Sequence, residues 1–75
     1  MDEILERTLR VRGTVQGVGF RPFVYRIARR AGLSGWVRND RQGVTIFAKG
    51  SQVALDHFEY QLSAEAPAAA RVAEI

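Results

Sequence analysis

Val15, Gln16, Gly17, Val18, Gly19, Phe20 and Arg21 combine two freely rotating glycines with a guanidinium, a set suited to holding an anion. Glycine reaches backbone conformations that turn consecutive N–H groups toward a common point. A helix starting right after this run would add its own unpaired N–H groups and the positive end of its dipole. Arg21 stands at that junction, and its planar guanidinium can make two parallel bonds to phosphate oxygens, which a lysine could not reproduce. The chemistry on offer is phosphate binding. Tight turns also need glycine for reasons unrelated to ligands, and Arg21 could merely cap or salt-bridge a first turn. On these residues alone, cradle and plain turn both stay open.

Other catalytic options are few. The chain has no cysteine, which excludes a disulfide framework, a thiolate metal site and a cysteine nucleophile together. His57, the one histidine, falls in a helical stretch and reads as half exposed, with no carboxylate or cysteine beside it to make a triad or a metal site. Asp40 tempts as a general base, but Asn-Asp is common turn chemistry and reads as structural. No metal or cofactor is implied.

The elements that must position the loop follow from periodicity. Leu5, Leu9 and Val11 alternate with Glu6, Thr8, Arg10 and Arg12, the two-residue period of a half-buried strand. Gly13, Gly17 and Gly19 break it. Pro22 suits the first position of a helix running to about Ala31, with Phe20, Val24, Ile27, Ala28 and Ala31 on its apolar face and Arg26, Arg29 and Arg30 toward water. Gly32 is its stop. Trp36 and Val37 form a short second strand, Asn39 to Gly43 a turn, and Val44 to Ala48 a third strand. Ser51 can cap a second helix that buries Ala54, Leu55, Phe58 and Leu62 and ends before Pro67. Ala64 to Ala70 reads as a connection and Arg71 to Ile75 as a fourth strand cut short. Trp36, Phe20 and Phe23 read as core rather than as a ligand platform.

This order, βαββαβ, is that of the α+β ferredoxin-like sandwich: an antiparallel sheet with both helices on one face. Seventy-five residues allow one small domain, burying only about 60% of its unfolded surface, and the short fourth strand suggests a fragment of a longer protein. The composition, 47% hydrophobic and 25% charged, is that of an ordinary globular chain. No apolar stretch would span a bilayer and residues 1 to 12 do not resemble a secretory signal, so a cytoplasmic protein without membrane association is expected. The formal charge of +3 suits an anionic ligand, yet most of the arginines read as solvated surface.

Two longer motifs sharpen the reading. Gly13-Thr14-Val15-Gln16-Gly17-Val18-Gly19-Phe20-Arg21 resembles the first signature of the acylphosphatase family, and Gly35-Trp36-Val37-Arg38-Asn39 followed by Gly43 resembles the second. The run Arg21 to Ala28, the turn from Asn39 to Val44, and Ala66-Pro67 through Arg71-Val72 are more similar to the N-terminal domain of the hydrogenase-maturation carbamoyltransferases (HypF type) than to free acylphosphatases. Two features depart from the pattern. The spacing after Gly43 differs from the free enzymes' second signature, and the chain stops before the closing strand residues and before the large enzyme's zinc-binding region.

The resemblance implies hydrolysis of small acyl phosphates such as carbamoyl phosphate. Arg21 and the amides of residues 15 to 20 would hold the phosphate and stabilise charge on its oxygens, while Asn39 orients the attacking water. An amide can position a water but cannot take its proton, so the base must be something else, and the resemblance implies that the substrate phosphate itself serves. An activated acyl phosphate has a good leaving group, and positioning alone can supply ~7–11 kcal/mol. The expected partner is the small substrate, with downstream domains of a larger enzyme a second expectation. A rival reading is an inactive phosphate- or RNA-binding module. RNA binders of this fold stack bases on exposed strand aromatics. Strand one offers Leu9 and Val11 and only Phe47 could serve, which weighs against nucleic acid.

Overall fold

The alternating segment at the start becomes β1 (Leu5–Thr14), and the computed structural model, which describes residues 3–14, 19–41, 43–66 and 71–74, carries the chain on through five more elements. These are α1 (Phe20–Arg30), β2 (Ser34–Asp40), β3 (Gly43–Gly50), α2 (Gln52–Ala64) and β4 (Arg71–Glu74). The strands form one sheet in the order β2-β3-β1-β4, every neighbouring pair antiparallel. The expected ferredoxin-like α+β fold is therefore the fold observed.

Register decides which side chains meet the helices. Residues directly opposite in an antiparallel pair share a face, so the rows Leu9–Ile46–Val37 and Val11–Val44–Asn39 lie on one side of the sheet. Leu9, Val11, Val44, Ile46 and Ala48 are buried there against Phe20, Phe23, Val24 and Ile27 of α1 and Leu55, Phe58 and Leu62 of α2. Arg7 falls on this same face and breaks the apolar alternation of β1. It lies at the margin of the core, and its guanidinium reaches Asp56 at 2.9 Å and Glu59 at 3.5 Å on α2, tying that helix to the strand while its stem stays with the apolar residues.

Two element boundaries and the placement of one side chain depart most from the sequence reading, each for a physical reason. Helix α1 starts at Phe20, two residues before Pro22, because no N–H in a first turn has an intrahelical partner and proline is tolerated there as well as at the first position. The apolar spacing Phe20, Phe23, Val24, Ile27 continues one helical face into that earlier turn. Strand β2 is longer than Trp36-Val37, and it includes Asn39 and Asp40, which pair with Val44 and Gly43. Trp36 is not core: it is 45% exposed on the helix-free face. The inward position of Val37 requires this, since neighbours along a strand point to opposite sides.

The helix ends match their sequence signals. At the end of α1 the Gly32 N–H bonds to the Arg29 carbonyl at 3.1 Å and the Leu33 N–H to the Ala28 carbonyl at 2.9 Å, the paired closure of a Schellman motif. Ser51 Oγ accepts from the Ala54 N–H at 3.1 Å and caps α2. His57 lies on the exposed side of α2. The connection 67–70 and Ile75 lie outside the described residues.

Candidate functional site

The strand that leads into the glycine-rich run changes partners as it does so. Pairing of β1 with β3 ends at Arg12–Gly43, and beyond a register shift Gly13 and Thr14 pair with Val72 and Arg71 of β4. Val15, Gln16, Gly17 and Val18 lie outside the described residues. The chain re-emerges at Gly19, the N-cap of α1, with φ +78, a left-handed conformation that L side chains rarely adopt. Open space surrounds the position where a Cβ would sit, so the glycine is required by backbone shape and not by crowding.

The start of α1 is uncapped by side chains. Gly19 offers none, no acidic residue stands in the first turn, and the first bond of the helix runs from the Phe23 N–H to the Gly19 carbonyl at 3.2 Å. The amides of Phe20 and Arg21 precede it, in the turn where a helix has no carbonyl to offer them. Such an end attracts an anion. The Phe20 side chain is buried in the core, so only its main chain could face a ligand. Arg21 is exposed beside it.

Asn39 reaches the same region from the sheet. It shares the helix-side face with Val44 and Val11, in the last β3-paired row on that face before β1 turns to β4 and the loop. Its exposure sets it beyond the rim of the core rather than inside it. Arg21 and Asn39, 18 positions apart in sequence, thus occupy the same end and the same face of the sandwich. Asp40, on the opposite face, accepts a 2.6 Å hydrogen bond from Thr45 Oγ1 across the hairpin. That supports its structural reading. Sequence reasoning missed Thr45, although a threonine directly inside a turn rich in Asn and Asp is a recognisable partner for them. Among the described residues no group of three or more His, Cys, Asp or Glu could hold a metal ion.

Known proteins resemble this chain over most of its length. A family model described as Acylphosphatase matches residues 7–75. The carbamoyltransferase HypF2 of Cupriavidus necator is 63% identical over 67 residues, covering 89% of this chain and 8% of that protein. An acylphosphatase of Lactobacillus johnsonii is 44% identical over 66 residues, covering 87% of this chain and 72% of that protein. The crystal structure of full-length HypF in its phosphate- and nucleotide-bound form superposes with a TM-score of 0.94 at 34% identity, over 99% of this chain and 10% of that one. The chain spans only a small part of the carbamoyltransferases it matches.

Proposed function

The chain belongs to the acylphosphatase family, hydrolases acting on acid anhydrides, and on that premise we propose that it cleaves small acyl phosphates to a carboxylate, or to carbamate, plus phosphate. It does so as a single domain over residues 1–75, in the cytoplasm, either free or as the N-terminal, carbamoyl-phosphate-handling domain of a longer hydrogenase-maturation carbamoyltransferase. The observation that carries the reading is the uncapped start of α1 after a left-handed glycine, with Arg21 exposed in its first turn and Asn39 on the helix-side face of β2.

In the proposed reaction the amides of Val15, Gln16, Gly17, Val18, Gly19 and Phe20 and the Arg21 guanidinium bind the phosphate. They hold its oxygens while charge builds on them. Asn39 orients a water toward the acyl carbon through its side-chain amide. The water oxygen bonds to that carbon, its proton passes to a phosphate oxygen, and the carbon–oxygen bond to phosphate breaks. Orientation and electrostatics supply the acceleration, and the substrate supplies its own base.

Hydrolysis of carbamoyl phosphate or benzoyl phosphate by the wild type, Arg21→Ala and Asn39→Ala tests the assignment. Arg21→Ala is expected to lose binding and rate, and Asn39→Ala mainly rate. Equal activity in all three would defeat it.

A further inference from the structure

The sheet's second face carries no helix. On it, cross-strand register sets Thr8, Phe47 and Trp36 in one row, Arg10, Thr45 and Arg38 in the next, and Arg12, Gly43 and Asp40 in the third. Rows on one face are two residues apart, ~6.8 Å along the strands. A fourth row at the other end, Glu6, Lys49 and Ser34, is balanced by a Lys49–Glu6 ion pair at 3.8 Å. The remaining charge is lopsided. A cleft of about 390 Å³ lies among Arg10, Arg12, Arg38, Asp40, Arg41 and Thr45, its four guanidiniums set against Asp40, which accepts from Thr45, and Glu74, which register places beside Arg12, so that the face is net positive.

The row beside the cleft is aromatic. The rings of Trp36 and Phe47 stack with centroids 5.8 Å apart and an interplanar angle of 24°, and the Arg38 guanidinium lies 5.0 Å from the centre of the Trp36 ring. Phenyl, indole and exposed guanidinium form a column of flat groups. The expectation that only Phe47 could stack a base rested on Leu9 and Val11, which face the helices; on the free face β1 presents Thr8, Arg10 and Arg12.

We propose that this face binds single-stranded nucleic acid, a base stacking on the Trp36–Arg38 column and the flanking phosphates lying on Arg10, Arg38 and Arg41. Charge complementarity selects a polyanion, and guanidiniums rather than ammonium groups favour phosphate oxygens, which accept their paired N–H bonds. An aromatic row directly beside a row of guanidiniums repeats the alternation of base and phosphate in a single strand, and stacking on rings or on Arg planes is how unpaired bases are held. A duplex hides its bases and could use only the charge. The site is independent of the proposed hydrolysis: its residues lie on the other side of the sheet from Asn39.

The test is fluorescence anisotropy of a labelled ten-nucleotide oligouridylate titrated with the chain. Binding is expected at micromolar protein in 50 mM salt. With three phosphates neutralised it should weaken about 20-fold between 50 and 200 mM salt, a log–log slope near −2. Trp36, the single tryptophan, should report the stacked base as quenched intrinsic fluorescence. The double variant Arg10→Glu/Arg41→Glu, at two exposed positions, should bind at least tenfold more weakly, whereas Arg21→Ala should bind as the wild type does. No anisotropy change up to about 100 µM protein, wild-type affinity in the double variant, loss of binding in Arg21→Ala, or equal affinity for a duplex of the same length would each overturn the proposal.

Discussion

Thr45 Oγ1 donates a hydrogen bond of 2.6 Å to Asp40 Oδ2 across the β2–β3 hairpin, joining the strand that carries Asn39 to its neighbour. Thr45 is the buried polar residue among those described, 8% exposed although it stands on the helix-free face of the sheet. Thr45→Val keeps the shape and removes the bond, which should cost about 1 kcal/mol and lower Tm by roughly 4–8 °C in a thermal melt. Asn39 stands one residue before Asp40, so the same variant should lower kcat for an acyl phosphate more than it alters KM.

The two proposed site residues should separate kinetically. In the proposed mechanism Arg21 contacts the phosphate before and during bond cleavage, so on its removal KM should rise and kcat/KM fall by roughly 10²–10³. Asn39→Ala should lower kcat by about 10² with KM little changed, since it acts on the water and not on the phosphate. Steady-state kinetics on benzoyl phosphate read both. Phosphate should raise the Tm of the wild type and of Asn39→Ala but not that of Arg21→Ala.

Two glycines should respond differently to alanine. A Cβ at Gly35 would lie 1.8 Å from the Phe47 carbonyl oxygen, a backbone atom that cannot step aside. Gly35→Ala should cost roughly 4 kcal/mol, above the usual range for a point substitution, in a domain whose whole stability is roughly 4–11 kcal/mol. At Gly19 nothing obstructs the new atom and only the positive φ is strained, so Gly19→Ala should cost about 1–2 kcal/mol. Urea denaturation distinguishes the two.

Ser51→Ala removes the cap on the Ala54 N–H and should destabilise the fold by about 1 kcal/mol, most of which Ser51→Asp should restore. The midpoint of a denaturant titration reads this directly.

Local chemistry was what made the fold legible. The alternation in β1, the Ser51 cap and the glycine after α1 each act within a few residues, and each appears where its residues predict. Non-local choices were less visible. That Trp36 lies outside follows only once Val37 is known to point in, and the role of Arg7 depends on α2 arriving above it with Asp56 and Glu59. For the site, the residue types of Arg21 and Asn39 were readable, but their shared end of the sandwich comes from the register of three strands. The Asp40–Thr45 pair escaped because it crosses the turn that seemed to explain Asp40 completely.

Gly13 and Thr14, the stem from which the glycine-rich run departs, hydrogen-bond to β4 and no longer to β3. The proposed phosphate loop is therefore moored by the last strand of this fold to be synthesised. A nascent chain could assemble both helices and the β1–β3 ladder before Gly13 and Thr14 gain their β4 partners, so the proposed capacity to hold phosphate should arrive only once Arg71–Glu74 has been made. Whatever frays Arg71–Glu74 in the finished molecule should reach the ligand before it reaches the core.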